Sequence, residues 1–158
     1  MCGRYILKKV MLLLCAVVTS FSVSAQINTE RMMVVGRNAL YFEDYVLSIQ
    51  YFNQIANAKP YMYEPYFYRA IAKLSLEDYI GAEEDCNSSI ERNPFVVDSY
   101  QVRGLSLIYQ GKFDKAIKDY YKGLSMDPEN QSLRHNLVLC LMREDDIEGA
   151  RNAVDTLL

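Results

Sequence analysis

Four ladders of residues recur every 34 positions in this chain, and that period constrains its fold more than any other feature. Prolines stand at 60, 94 and 128, and alanines at 82, 116 and 150 with Ser48 one period earlier. Tyr45, Tyr79, Phe113 and Ile147 keep the same register, as do Phe52, Cys86, Tyr120 and Val154. Independent ladders in one register mean one supersecondary unit repeated and stacked on itself. Within each period, apolar residues recur at spacings of three and four on two successive segments of about 12–14 residues, the pattern of helices with one buried stripe. Tyr100, Gly104 and Leu107 mark the first such segment of the third period; Phe113, Ala116, Ile117, Tyr120 and Leu124 mark the second. Only 7 glycines and 4 prolines occur in 158 residues, few punctuators for a β or loop-rich protein. A 51% apolar content supplies enough to bury a core.

Local chemistry sharpens the pattern. Gly36, Ala70 and Gly104 share one position and let paired helices approach closely, with Tyr45, Tyr79 and Phe113 expected to fill the space above the next small residue. Asp44, Asp78 and Asp146 precede the second helices, where a carboxylate caps free N–H groups and meets the positive helix end. Proline then stops each repeat, because it cannot donate to the helix ladder. Arg69 and Arg103 also share a position, and Asp85 and Asp119 follow them by 16 residues. Where the first of these positions is apolar (Val35, Leu137) the second is uncharged (Tyr51, Ala153). This pattern predicts an Arg–Asp pair joining the two helices of each central repeat, arginine being suited to bond a carboxylate twice. The alternative is that all four charges face water.

Together these residues resemble the tetratricopeptide-repeat family. The resemblance covers 29–158, as repeats 29–62 (Gly36, Tyr45, Phe52, Pro60), 63–96 (Tyr66, Ala70, Tyr79, Ala82, Pro94) and 97–130 (Tyr100, Gly104, Gly111-Lys112-Phe113, Ala116, Tyr120, Asp127-Pro128), with a partial fourth at 131–158 (Ile147, Ala150). It implies an all-α fold, a right-handed solenoid of stacked helical hairpins. In that family the first helices line a concave groove that binds extended peptides or helices. By that likeness Met33, Arg37, Leu40 and Tyr41 of the first repeat face the groove, with Phe67, Ile71 and Leu74 of the second. Gln101, Leu105, Ile108 and Tyr109 follow from the third, and His135, Leu139, Met142 and Arg143 from the fourth. The face so defined is apolar and aromatic, as contact surfaces are; the competing expectation is that part of it packs between repeats. Some family members clamp a C-terminal carboxylate with basic side chains. Here Met33 sits where a lysine is expected and only Arg37 and Arg143 supply charge, so a chaperone tail is not the expected partner.

The amino terminus reads differently. Arg4, Lys8 and Lys9 precede an uninterrupted apolar run from Val10 to Val18, and Val23-Ser24-Ala25 places small residues before Gln26. That is the form of a secretory signal peptide, residues 1–25, cleaved after Ala25 to leave a domain at 26–158. A retained anchor is the rival, but a spanning helix needs about 20 apolar residues and this run is shorter. The segment holds three of the 17 basic residues and none of the 20 acidic ones, which leaves 14 against 20, a net of −6. Such a chain is not expected to bind nucleic acid, or a membrane once the leader is gone. Cys86 and Cys140, the cysteines remaining, lack the spacing of a metal or redox motif.

Chemistry is otherwise sparse. His135 is the one histidine, with no nucleophile–base arrangement around it, and Glu144-Asp145-Asp146 with Glu148 lacks the ligand alternation of a calcium loop. Asn87-Ser88-Ser89 and Asn130-Gln131-Ser132 match the glycosylation triplet, which matters only in a eukaryotic secretory pathway. No enzyme, cofactor or metal site is expected. The reading is a protein-interaction scaffold or adaptor, exported to the periplasm or cell envelope, holding a protein or peptide partner in its groove. Two alternatives stay open: the targeting module of a longer exported enzyme, or a structural element self-associating through the uncapped end Val154-Asp155-Thr156-Leu157-Leu158.

Overall fold

The computed structural model describes Met11 and residues 29–155. Apart from Met11, the leader expected at 1–25 lies outside the described residues, as does the terminal Leu157-Leu158. From 29 onward the chain forms α1 (residues 29–41), α2 (Tyr45–Ala58), α3 (Glu64–Ser75), α4 (Tyr79–Arg92), α5 (Val97–Tyr109), α6 (Phe113–Met126), α7 (Gln131–Arg143) and α8 (Ile147–Asp155). The second helix of each hairpin begins at 45, 79, 113 or 147, so the sequence period is also the spatial one. Each helix from α2 onward packs on the next, and first helices of neighbouring hairpins touch, α3 on α5 and α5 on α7.

The ends of the helices follow from single side chains. Asp44, Asp78 and Asp146 each accept a backbone N–H three residues on, from Leu47, Gly81 and Gly149 at 3.1, 3.0 and 2.9 Å. Asn130 caps α7 in the same way through Leu133, at 3.1 Å. The turn between the two helices of a hairpin needs one residue in the left-handed region. Gly111 fills it in the third hairpin (φ 73°), but Glu43, Glu77 and Asp145 stand there in the others (φ 63°, 62° and 57°).

The core runs along the hairpin interfaces. Ser48, Ala82 and Ala116 are buried in the second helices, with Phe52, Cys86 and Tyr120 each four residues on. Aromatic rings here close onto glycine. A Cβ on Gly36 would lie 2.9 Å from Phe52 Cε1, and one on Gly104 would lie 2.6 Å from Tyr120 Cε1. In the second hairpin the equivalent positions are Ala70 and Cys86, both fully buried. The residues filling the space above the small positions are therefore Phe52 and Tyr120, not Tyr45, Tyr79 and Phe113 as the ladders suggested. Those three begin their helices, away from the point where the two helices cross, and are only half-buried. Tyr79 instead lies flat on Tyr109 of the next first helix, with ring centroids 4.8 Å apart. The fourth hairpin joins the third through an apolar cluster of Leu107, Tyr120, Leu133, Leu137, Cys140 and Leu141.

Candidate interaction face

Polar bridges hold the first helices in place. Arg69 donates from Nε to Asp85 at 2.8 Å and from Nη2 to the other carboxylate oxygen, while Nη1 donates to Asn53 of the preceding hairpin at 2.6 Å. Arg103 repeats the arrangement with Asp119 (2.8 and 2.6 Å) and with Asn87 (2.7 Å). The Arg–Asp pair expected from the spacing is thus present, and each pair reaches one hairpin further than expected. Asn53 and Asn87 are themselves 34 residues apart, a signal in the sequence that went unused. The two guanidinium groups also lie over Tyr66 and Tyr100, 5.3 and 5.5 Å from the ring centroids. Those tyrosines donate to the carbonyls of Pro60 and Pro94, at 3.5 and 3.1 Å, and Arg134 at the same position donates to Pro128. Each proline that stops a repeat is thereby tied to the next one.

On this frame none of the fifteen candidate groove residues is buried. Arg37, Tyr41, Tyr109, His135, Leu139, Met142 and Arg143 are exposed; Met33, Leu40, Phe67, Ile71, Leu74, Gln101, Leu105 and Ile108 are half-buried. Arg37, Leu40 and Tyr41 come together with Val34, Asn38 and Tyr68 around a depression of about 560 Å³. Gln101 and His135 meet across two hairpins around another of about 340 Å³, with Gln131, Ser132 and Asn136. The other ten, Met33, Phe67, Ile71, Leu74, Leu105, Ile108, Tyr109, Leu139, Met142 and Arg143, line neither.

Tyr68 was not singled out from the sequence, yet it organises the first depression. Its ring stacks on Phe52 at 5.5 Å, tilts against Phe67 at 5.1 Å and receives the Arg37 guanidinium at 5.3 Å. The available signal was register: Tyr68 lies four residues after Glu64 and one before Arg69, on the edge between the groove stripe and the bridging arginine.

The groups that could carry chemistry are otherwise engaged. Burial pushes the Cys140 thiol up to about 11 and the Cys86 thiol higher still, so neither is a thiolate near neutral pH. The Asn87 side chain accepts from Arg103, and Asn130 both caps α7 and donates to Asp127 at 3.0 Å. His135 is exposed among amides and a hydroxyl.

Residues 107–158 match the family described as "Tetratricopeptide repeat". In three dimensions the chain superposes on the crystal structure of MamA with a TM-score of 0.79 at 19% identity, covering 82% of this chain and 75% of that one. The fold is a tetratricopeptide-repeat solenoid. The first such domain of Spaghetti (RPAP3), bound to the HSP90 peptide SRMEEVD, superposes with a TM-score of 0.73 at 24% identity, over 74% of this chain and 93% of that one. Sperm-associated antigen 1 of Mus musculus is 29% identical over 102 residues, which is 65% of this chain and 11% of that protein. The tetratricopeptide-repeat array thus spans a small part of the curated relative it matches, and these likenesses support the repeat family and its right-handed stacked-hairpin architecture.

Proposed function

We propose that this chain is a non-catalytic interaction scaffold, exported to the cell envelope, whose concave face holds a segment of a partner protein. The observation that carries the reading is the state of the fifteen residues on the first helices: apolar and aromatic for the most part, reachable from solvent, and fixed on a polar-bridged frame. Contiguous exposed apolar surface of this kind marks binding sites, and a frame rigid before binding lowers the ordering cost of association. A structural neighbour that holds a peptide supports a peptide partner. That peptide ends in two glutamates, a valine and an aspartate, whereas Met33 stands on this groove where a cation would receive such a tail. The partner is therefore of another chemistry.

The deciding experiment is a pull-down from envelope extract with the protein starting at Gln26, beside the Leu105→Asn/Leu139→Asn variant. A partner retained by the parent and lost by a variant of unchanged circular dichroism supports the groove. Equal retention by both excludes it. Export is tested by amino-terminal sequencing of the protein recovered from the periplasm, where the leader reading expects Gln26 as the first residue.

A further inference from the structure

The carboxylates of the concave face lie along one edge. Glu64, Phe67, Tyr68 and Ile71 fall at i, i+3, i+4 and i+7 of α3, so the carboxylate shares the face with the groove residues. Asp98 holds the same register before Gln101 and Leu105 on α5, and Glu30 before Met33 and Arg37 on α1. All three lie in the first turn of their helices, one carboxylate per hairpin along one rim. Tyr63 sits among them: burial raises its phenol, and the charges of Glu64 and Asp98, with Tyr68 between, raise it further. Two neighbouring hairpins thus each contribute a carboxylate charge that acts on one phenol.

Few cations share this region, and Arg31 is exposed beside Glu30 on α1. Arg37 lies over Tyr68, Lys73 pairs with Asp85 at 2.9 Å, and Arg143 is in the last turn of α7, at the opposite rim. Aromatic side chains remain open at that opposite rim, in the last turns of α1 and α5, Tyr41 at 81% exposure and Tyr109 at 61%. That Tyr68 already receives a guanidinium shows what such rings accept.

We infer that the groove takes an extended cationic peptide whose lysine or arginine side chains recur every third residue against Glu30, Glu64 and Asp98, with apolar side chains between them. This rests on the groove reading above and names its partner's chemistry. The spacing follows from packing. First helices of adjacent hairpins lie about 8–10 Å apart, and a polyproline-II chain returns a side chain to the same face every three residues, about 9.3 Å along.

The test is fluorescence anisotropy of the Gln26-onward protein with a labelled twelve-residue peptide, Lys-Pro-Leu repeated four times, beside the same peptide with glutamate or glutamine replacing lysine. The cationic peptide is expected to bind at least about tenfold more tightly than the acidic one, with affinity falling as salt rises. Glu64→Gln with Asp98→Asn is expected to weaken it about fivefold to tenfold, as befits two exposed ion pairs. Glu84→Gln, exposed on α4, is expected to leave it unchanged. Equal binding of cationic and neutral peptides, or an equal loss with Glu84→Gln, overturns the charge assignment. If both of those peptides are then lost in Leu105→Asn/Leu139→Asn, the groove itself stands. Cationic binding that survives that variant, or no binding of any peptide, overturns the groove and the charge assignment together.

Discussion

Two buried hydroxyls make the residue scale informative. Ser48 and Tyr120 are fully buried, and neither side-chain oxygen has a hydrogen-bond partner. A buried polar group without a partner costs about 1–3 kcal/mol. Ser48→Ala, which installs the alanine found at this position in the other three hairpins, and Tyr120→Phe are each expected to raise stability by about 1 kcal/mol, read as a higher urea midpoint at unchanged slope. Gly104→Ala is expected to do the reverse. Its Cβ would meet the Tyr120 ring at 2.6 Å, and overpacking of this kind costs about 1–3 kcal/mol. Much at this scale was legible from the ladders: the three aspartate caps stand where their positions in the repeat put them, because capping needs only local geometry. Which aromatic closes onto which glycine was not legible. Phe52 and Tyr79 sit on ladders of equal regularity, and only the crossing of the two helices decides that the first meets Gly36 while the second is displaced onto Tyr109.

Elements are joined here by bridges of two strengths. The Arg103 bridge is largely withdrawn from water, with Asp119 at 6% exposure, and it spans α4, α5 and α6 through Asn87. Removing one member leaves a buried charge without a partner, so Asp119→Ala is expected to cost about 3 kcal/mol. Arg103→Leu added to it is expected to cost less than the sum of the two single changes, a coupling read from a double-mutant cycle in urea. A weaker link ties α4 to the turn between α5 and α6. Glu83 accepts from Lys112 and from Gln110, both at 2.9 Å. Burial alone would raise its pKa, but those two hydrogen bonds and the lysine charges outweigh burial and lower it below the ordinary value. A carboxylate lowered in the folded state stabilises above its unfolded pKa and loses that contribution as pH falls through the folded one. Stability between pH 5 and 3, about one unit either side of the glutamate range, should therefore fall less steeply in Glu83→Gln than in the parent. The sequence foretold the Arg–Asp pairs because charge and its loss co-occur at a fixed offset of 16 residues. It did not foretell Glu83 with Lys112, which joins two hairpins at one place only and leaves no periodic trace.

Over the whole molecule, stability is expected to be shared between neighbours rather than held by one centre, since each hairpin buries its stripe only against the next. Hydrogen exchange should be slowest in α4, α5 and α6, which have bridged or apolar neighbours on both sides, and fastest in α1 and α8. Uniform protection from α1 to α8 would contradict this. The last junction differs in kind from the two before it, with Leu137 standing where the earlier ones use a bridging arginine, and Tyr121 and Ala153 at the positions of its partners. The turns hold a different kind of information. Four turns share one backbone shape, and only one carries the achiral residue that has no Cβ to clash there, Gly111. Each left-handed non-glycine residue costs about 1–2 kcal/mol, so Glu43, Glu77 and Asp145 mark three places where the chain can drift to glycine and grow sturdier without altering its outline. A sequence with such room for repair can absorb damaging changes on its concave face, and so can alter whom it recognises while keeping its shape.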